Sequence, residues 1–310
     1  MIRELKNFLL IIRDLIILSR PEWGFIFSGV AFMLSLFYLL PLKSLIIGWI
    51  SIYAFSCGHF AVNGLFDKKS DVINPRRFSL RNPLSYSTLL TSRIIYLWVA
   101  LVWLILIPLN LTFIPFTTNS LKVPIALFLF ILATCSSILY SVPPFRLKSK
   151  PFVDMIITLV IAGFCFPIYI GLLGPNVIVN ERLLFYGMTL SLLLVIGLHW
   201  PTILTDLETD IQNGENTTAV YLGRINASYL TSFGIFLRIT GFAILNIALM
   251  KEGLLMINIL PFILGIVEGF LAINLVWRKN QSSVELLWKT VIITSIIGGI
   301  IFGFLYTPQS

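Results

Sequence analysis

Nine apolar runs divide this chain, each close to the roughly 20 residues that carry a helix across a bilayer. They cover residues 23–41, 44–62, 94–116, 122–141, 154–174, 184–204, 227–249, 253–276 and 288–306. The runs are continuously apolar and do not alternate, so they read as helices and not as barrel strands. Only 12% of the 310 residues are charged and 57% are hydrophobic, where a water-facing surface needs about a quarter charged. The expectation is an all-α, polytopic membrane protein, a bundle of about nine transmembrane helices forming one domain over residues 1–310.

The charges that remain are unevenly placed. With the N-terminus cytoplasmic, 17 Lys and Arg fall on that side, from Arg3 through the loop 68–93 and Arg146–Lys150 to Lys289, against four (Lys43, Lys122, Arg182, Lys251) on the other. That bias predicts a cytoplasmic N-terminus and a C-terminus on the opposite face; the expected membrane is the plasma membrane of a prokaryote. The net charge of +8 therefore sets topology and meets membrane lipid or an anionic substrate, and leaves no basic face for nucleic acid. Residues 1–20 carry charges throughout and no small-residue cleavage site, which reads as a retained amphipathic helix at the interface. The three cysteines sit in apolar runs without a CxxC and read as core residues. His59 and His199 stand alone in sequence, so a histidine metal site has little support.

Against this background the stretch NGLFDKKSD, Asn63 to Asp71, is unusual. The chain has six aspartates, and four of them form two pairs at a spacing of four: Asp67 with Asp71, and Asp206 with Asp210. Each pair ends the second helix of a group of four, as a duplicated four-helix unit would arrange them. At this spacing both acids share a helix face, and Asn63 extends the first pair into a polar stripe. Carboxylates so placed repel unless a cation lies between them. A hard ion such as Mg²⁺, held by one or two carboxylates together with substrate phosphates, suits them. No glycine-rich phosphate loop is present, so a nucleotide-driven pump is not supported.

The combination NxxxDxxxD, YSVPPFRLK and a later DxxxDxxxG resembles the UbiA superfamily of intramembrane prenyltransferases. The resemblance runs from SRPEW, at Arg20 and Pro21, to Gly223, and nine helices is also that family's number. It implies a central cavity open to the cytoplasmic side and to lipid, in which an isoprenyl group passes from a prenyl diphosphate to a lipophilic acceptor. On that likeness Asp67, Asp71, Asp206 and Asp210 hold Mg²⁺ against the donor diphosphate and Asn63 assists. Tyr140, Arg146 and Lys148 match the family's Tyr-to-Lys segment; Arg146 and Lys148 would stabilise the leaving diphosphate, with Arg20 contributing from the first span. Gly64 stands where the family commonly has a second acid. Thr205 and Asn216 occupy places where basic residues are frequent. NPRR, RLKSKPFVD and GENTTAVYLG lean toward the branch containing lycopene elongases, with glycerophosphate-lipid, quinone and chlorophyll prenylating members as the other acceptor classes.

Two readings compete with a transferase: a UbiA-like terpene cyclase, and a transporter using the paired acids as a cation site. Transporters favour polar residues at the bilayer midplane, whereas these acids sit at one face. Arg238 and Glu268 lie inside spans, where an ionisable group costs several kcal/mol unless it is paired. Asp154, after Pro151, reads as a helix-start residue.

Overall fold

The computed structural model describes residues 2–73, 82–113, 122–174, 181–251 and 259–305. The loop residues Arg76, Arg77 and Arg81 of the expected basic set lie outside these. Among the described residues the regular structure is helical: α1 (Ile2–Leu18), α2 (Pro21–Phe37), α3 (Leu42–Phe66), α4 (Lys68–Ile73), α5 (Ser92–Phe113), α6 (Lys122–Ser141), α7 (Val153–Thr158), a π-helical stretch (Leu159–Cys165), α8 (Phe166–Leu172), α9 (Glu181–Thr205), α10 (Leu207–Gln212), α11 (Thr218–Lys251), α12 (Ile259–Arg278) and α13 (Gln281–Leu305). Each of the nine expected spans overlaps one of these apolar segments, the fifth span being α7, the π-helical stretch and α8 together. Among the described residues five segments are long and apolar enough on their own to cross a bilayer, and α1 with α2, bent by 50°, makes a sixth if the two form one span. The expected third, eighth and ninth spans each include residues outside the described set.

Large apolar side chains point outward along the helices: Leu97, Leu101 and Leu104 on α5, Phe128 and Ile131 on α6, Phe233 and Phe236 on α11, Phe270 on α12. Lipid, not water, suits such a surface. Inside, one apolar cluster joins α2, α3, α5, α6, the π-helical stretch and α8, and a second joins the end of α9 to α11, α12 and α13. Close backbone approach between α9 and α11 depends on glycine: a Cβ at Gly197 would lie 2.4 Å from Arg238 Cβ, and one at Gly234 would lie 2.5 Å from Trp200 Cε3. Small residues at such crossings are how membrane helices gain packing when lipid tails are as apolar as leucine.

The two ionisable groups expected inside spans meet. Arg238 Nε lies 3.0 Å from Glu268 Oε2, both wholly buried. Arg238 Nη1 donates to the Leu194 carbonyl, Nη2 donates to Ser295 Oγ, and the Thr294 hydroxyl donates to Glu268. The network ties α9, α11, α12 and α13 together with its donors and acceptors paired, the condition under which a buried ion pair is tolerated.

Both acid-bearing helices break at the first aspartate of the pair. The expected continuous stripe Asn63–Asp67–Asp71 is interrupted, since α3 ends at Phe66 and α4 begins at Lys68. Likewise α9 ends at Thr205 and α10 begins at Leu207. In each case a side chain from elsewhere reaches the last carbonyl of the longer helix: Arg146 Nη1 donates to Phe66 O, and Gln281 Nε2 to Thr205 O. The bonds from Asp71 N to Asp67 O and from Asp210 N to Asp206 O, at 2.8 and 2.9 Å, keep each pair in register across the break.

Candidate active site

A cavity of about 170 Å³ opens where these two breaks face the segment after α6. Its polar end is lined by Arg20, Asn63, Asp67, Tyr140, Arg146, Lys148, Asp206 and Asp210. Eight of the nine residues singled out from the sequence are thus brought to one wall. The ninth, Asp71, is not on it: it lies behind, where Arg20 Nη2 and Asn82 Nδ2 both donate to its Oδ2 at 2.9 Å.

The YSVPPFRLK segment supplies the cations. After α6 ends at Ser141, the chain turns through Pro143 and Pro144, joined by a cis bond, and reaches Arg146 in the left-handed region at φ 35°. Arg20, at the bend between α1 and α2, is also left-handed, with φ 47°. Neither is glycine, so each holds a backbone conformation that costs of order 1–3 kcal/mol and persists only where the surroundings enforce it. Asp67 is where these cations converge. Lys148 Nζ contacts its Oδ1, Arg146 Nη2 lies 3.2 Å from the same oxygen, and Asn63 Oδ1 accepts from Lys148 Nζ at 3.3 Å.

The second pair is held differently. Thr217 Oγ1 donates to Asp210 Oδ2 at 3.0 Å. Burial, with Asp206 beside it, pushes the Asp210 carboxyl up to about 7. Burial likewise pushes Asp71 up to about 6, against the pull of Arg20. Among the described residues no three His, Cys, Asp or Glu side chains are gathered so as to hold a metal ion by themselves.

Several wall residues were not anticipated. Glu215 accepts from Arg146 Nε at 3.0 Å and contacts Arg146 Nη2 and Ser149 Oγ. Asp154, expected only to start a helix, is buried and on the wall; His59 and His199, half-buried, are on it too. Single residues of this kind carry no spacing that sets them apart. The apolar end is formed by Trp23, Phe27, Phe55, Phe60, Ile161, Phe166 and Val195. Gly64, in place of the second acid, has a packing reason: a Cβ there would lie 2.6 Å from Leu18 Cδ1.

No family model matches the chain, and no curated protein matches it. Solved structures do. A UbiA homologue from Archaeoglobus fulgidus bound to DMAPP and Mg²⁺ superposes with a TM-score of 0.63 over 93% of this chain and 98% of that one, at 19% identity. Its complex with GPP and Mg²⁺ gives 0.62 at 18% identity, over 93% of this chain and 99% of that one. A digeranylgeranylglyceryl phosphate synthase gives 0.56 at 17% identity, over 96% and 99%. The fold is the UbiA fold. Within this fold the breaks between α3 and α4 and between α9 and α10 and the segment after α6 meet at the polar end of the cavity, with its apolar wall beyond them. At the other end Lys122 Nζ donates to Gly174 O and Ser44 Oγ to Leu173 O, tying loops together.

Proposed function

We propose that this protein transfers an isoprenyl group from a prenyl diphosphate to a lipophilic acceptor within the membrane, with Mg²⁺ as cofactor. The observation that carries the reading is the polarity of one cavity. Asp67, the Asp206–Asp210 pair and three cations line its polar end, and aromatic and aliphatic side chains line the other. That division matches a substrate with a charged head and a hydrocarbon tail.

Mg²⁺ fits the donor set. The pairs offer oxygen ligands only, and Asp206 beside Asp210 is a like-charged, partly buried pair that a cation would relieve. Magnesium is commonly held by one or two carboxylates with phosphate oxygens completing its shell, which agrees with the absence of a closed protein cage among the described residues. Asp67, Asp206 and Asp210 are the carboxylates that would hold it, while Asp71, expected as a fourth, lies behind them and anchors Arg20. Bound there, the metal supplies neutralisation of charge on the departing diphosphate.

The chain's own residues do the rest. Arg20, Arg146, Lys148 and Asn63 bind and orient the diphosphate; donors aimed at the oxygen where charge develops are each worth about 2.7–4 kcal/mol of transition-state stabilisation. Tyr140 lines the cavity beside His59, ring centroids 5.7 Å apart; an aromatic face turned to the allylic cation would contribute about 0.5–2 kcal/mol. The apolar wall excludes the water that would quench that cation. A cytoplasmic N-terminus and an acceptor of the carotenoid class complete the proposal, resting on the basic-residue bias and on the RLKSKPFVD and GENTTAVYLG phrases.

The test incubates membranes containing the protein with labelled dimethylallyl, geranyl, farnesyl and geranylgeranyl diphosphates and a host lipid extract, with Mg²⁺ or EDTA. Mg²⁺-dependent movement of label into a new lipid supports transfer, and the product mass names the acceptor. Label appearing as free hydrocarbon replaces the transferase with a cyclase. Retention of all label as intact donor, with folded protein, removes the reading.

A further inference from the structure

Asp154 is a buried carboxylate that neither the donor site nor the fold accounts for. It is 1% exposed, lies at the start of the fifth span, and lines the same cavity as the aspartate pairs. Asp67 and Asp71 each face a cation, but among the described residues no Lys or Arg pairs with Asp154. One oxygen is fixed. Phe152 N–H donates to Thr218 Oγ1 at 2.7 Å, so the Thr218 hydroxyl proton is committed to Asp154 Oδ1. The other oxygen, Oδ2, is buried and has no hydrogen-bond partner among the described residues. A buried carboxylate that is anchored on one side and bare on the other is costly. Starting a helix requires only that the carboxyl meet backbone N–H groups; it does not require that a residue lining a cavity leave one oxygen without a hydrogen-bond partner.

Granting the transfer reading above, the reaction leaves a proton to be removed. The donor's C1–O bond breaks and its electron pair departs with the diphosphate. C1 then bonds to a carbon or oxygen of the acceptor that bears a hydrogen. That hydrogen leaves as a proton, its bonding pair staying with the acceptor. We propose that Asp154 Oδ2 takes this proton, making Asp154 the general base of the acceptor half-site, and that the proton departs with diphosphate when the products leave. Asp67 and Asp71 are poorly suited to the task, because their oxygens face Lys148, Arg146 and Arg20, and a carboxylate held by cations is a weak base; Asp206 and Asp210 form the pair that would hold Mg²⁺, and a metal-bound carboxylate is a weak base for the same reason. The acceptor class follows: a lipophilic hydroxyl, electron-rich ring or alkene with a removable hydrogen at the alkylated position.

The test uses the full-length protein in detergent with three readouts. These are Mg²⁺-dependent binding of the unreactive thiolo analogue of geranyl diphosphate, thermal midpoint, and transfer of label from geranyl diphosphate into the host lipid extract. Asp154→Asn keeps the shape and the Thr218 bond. It should bind the analogue like wild type and transfer label about 10²–10⁴-fold more slowly, the range of a lost general base. Asp154→Glu should recover part of the rate. Thr218→Val, which leaves the carboxylate but frees its orientation, should lower transfer with analogue binding intact, and it decides the matter if Asp154→Asn does not fold. Transfer by Asp154→Asn within about threefold of wild type, or loss of analogue binding in step with loss of transfer, overturns the assignment. Wild type that binds no analogue and transfers no label overturns the prenyl-transfer reading itself, and that result is distinct because it precedes any variant.

Discussion

Arg146 serves two carboxylates at once: its Nη2 lies 2.5 Å from Glu215 Oε1 and 3.2 Å from Asp67 Oδ1. Glu215 also contacts Ser149, so an acid of the chain itself occupies the cationic corner into which a diphosphate would fit. An incoming donor has to displace it. Glu215→Gln should therefore tighten donor binding, by about fivefold if the partly exposed pair is worth about 1 kcal/mol. Displacement of labelled geranyl diphosphate at low and high salt measures this, and weaker binding in the variant would mean that Glu215 positions Arg146 and does not block it.

Removing a carboxylate from either pair should stop turnover without unfolding the bundle. Asp67→Asn and Asp206→Asn are each expected to lower the transfer rate by about 10²–10³, the cost of losing one group that stabilises developing charge. Size-exclusion profile and thermal midpoint check the fold. Near-normal rates in both variants would end the metal-clamp account.

The same acids give the metal-free protein a pH dependence of definite sign. Asp210 and Asp71 are raised to about 7 and about 6, above the ordinary carboxylate value of about 4. The folded state therefore binds more protons than the unfolded one across that window, and stability falls as pH rises from about 4 to about 7, then levels. Mg²⁺ binds the ionised form, so its affinity should climb through the same window and offset the loss. Thermal midpoints at about pH 5, 6, 7 and 8, with Mg²⁺ and with EDTA, test this; parallel curves would exclude metal binding at these pairs.

Arg238 and Glu268 give the opposite kind of prediction. They lie in a fully paired network away from the cavity wall. Arg238→Ala should destabilise the protein by about 3–5 kcal/mol by leaving Glu268 buried and unpaired, while activity per folded molecule stays close to wild type. A selective loss of rate in a variant of normal stability would assign the pair to the reaction.

The spans were readable in the sequence because lipid imposes a length and a polarity on each helix separately. Both aspartate pairs were readable because i and i+4 share a face whatever the helix packs against. What the sequence concealed depends on which helices become neighbours. Asp71 belongs to the motif by spacing, yet the break at Asp67 leaves it behind the wall with Arg20 and Asn82. Glu215, Asp154, His59 and His199 have no periodic partner, and only the packing of α3, α7, α9 and the loop before α11 brings them to one cavity. The Arg238–Glu268 pair was visible as two costs, but not as one bond, since 30 residues separate them.

The π-helical stretch at Leu159–Cys165 bears on how this chain should be compared with others. A π-turn holds one residue more than an α-turn between the same two hydrogen-bonded ends. Set against an uninterrupted helix, the segment therefore needs a one-residue gap, without which Asp154 and Phe166 fall out of step by about 100° of helix rotation. The same surplus makes the segment a natural place for a single-residue deletion: the helix would close into a regular α-turn and stay long enough to span. The wall on one side of it would then present a different set of side chains to the cavity. Loss or gain of one residue here is an inexpensive evolutionary route to a new acceptor pocket behind an unchanged pair of acidic motifs.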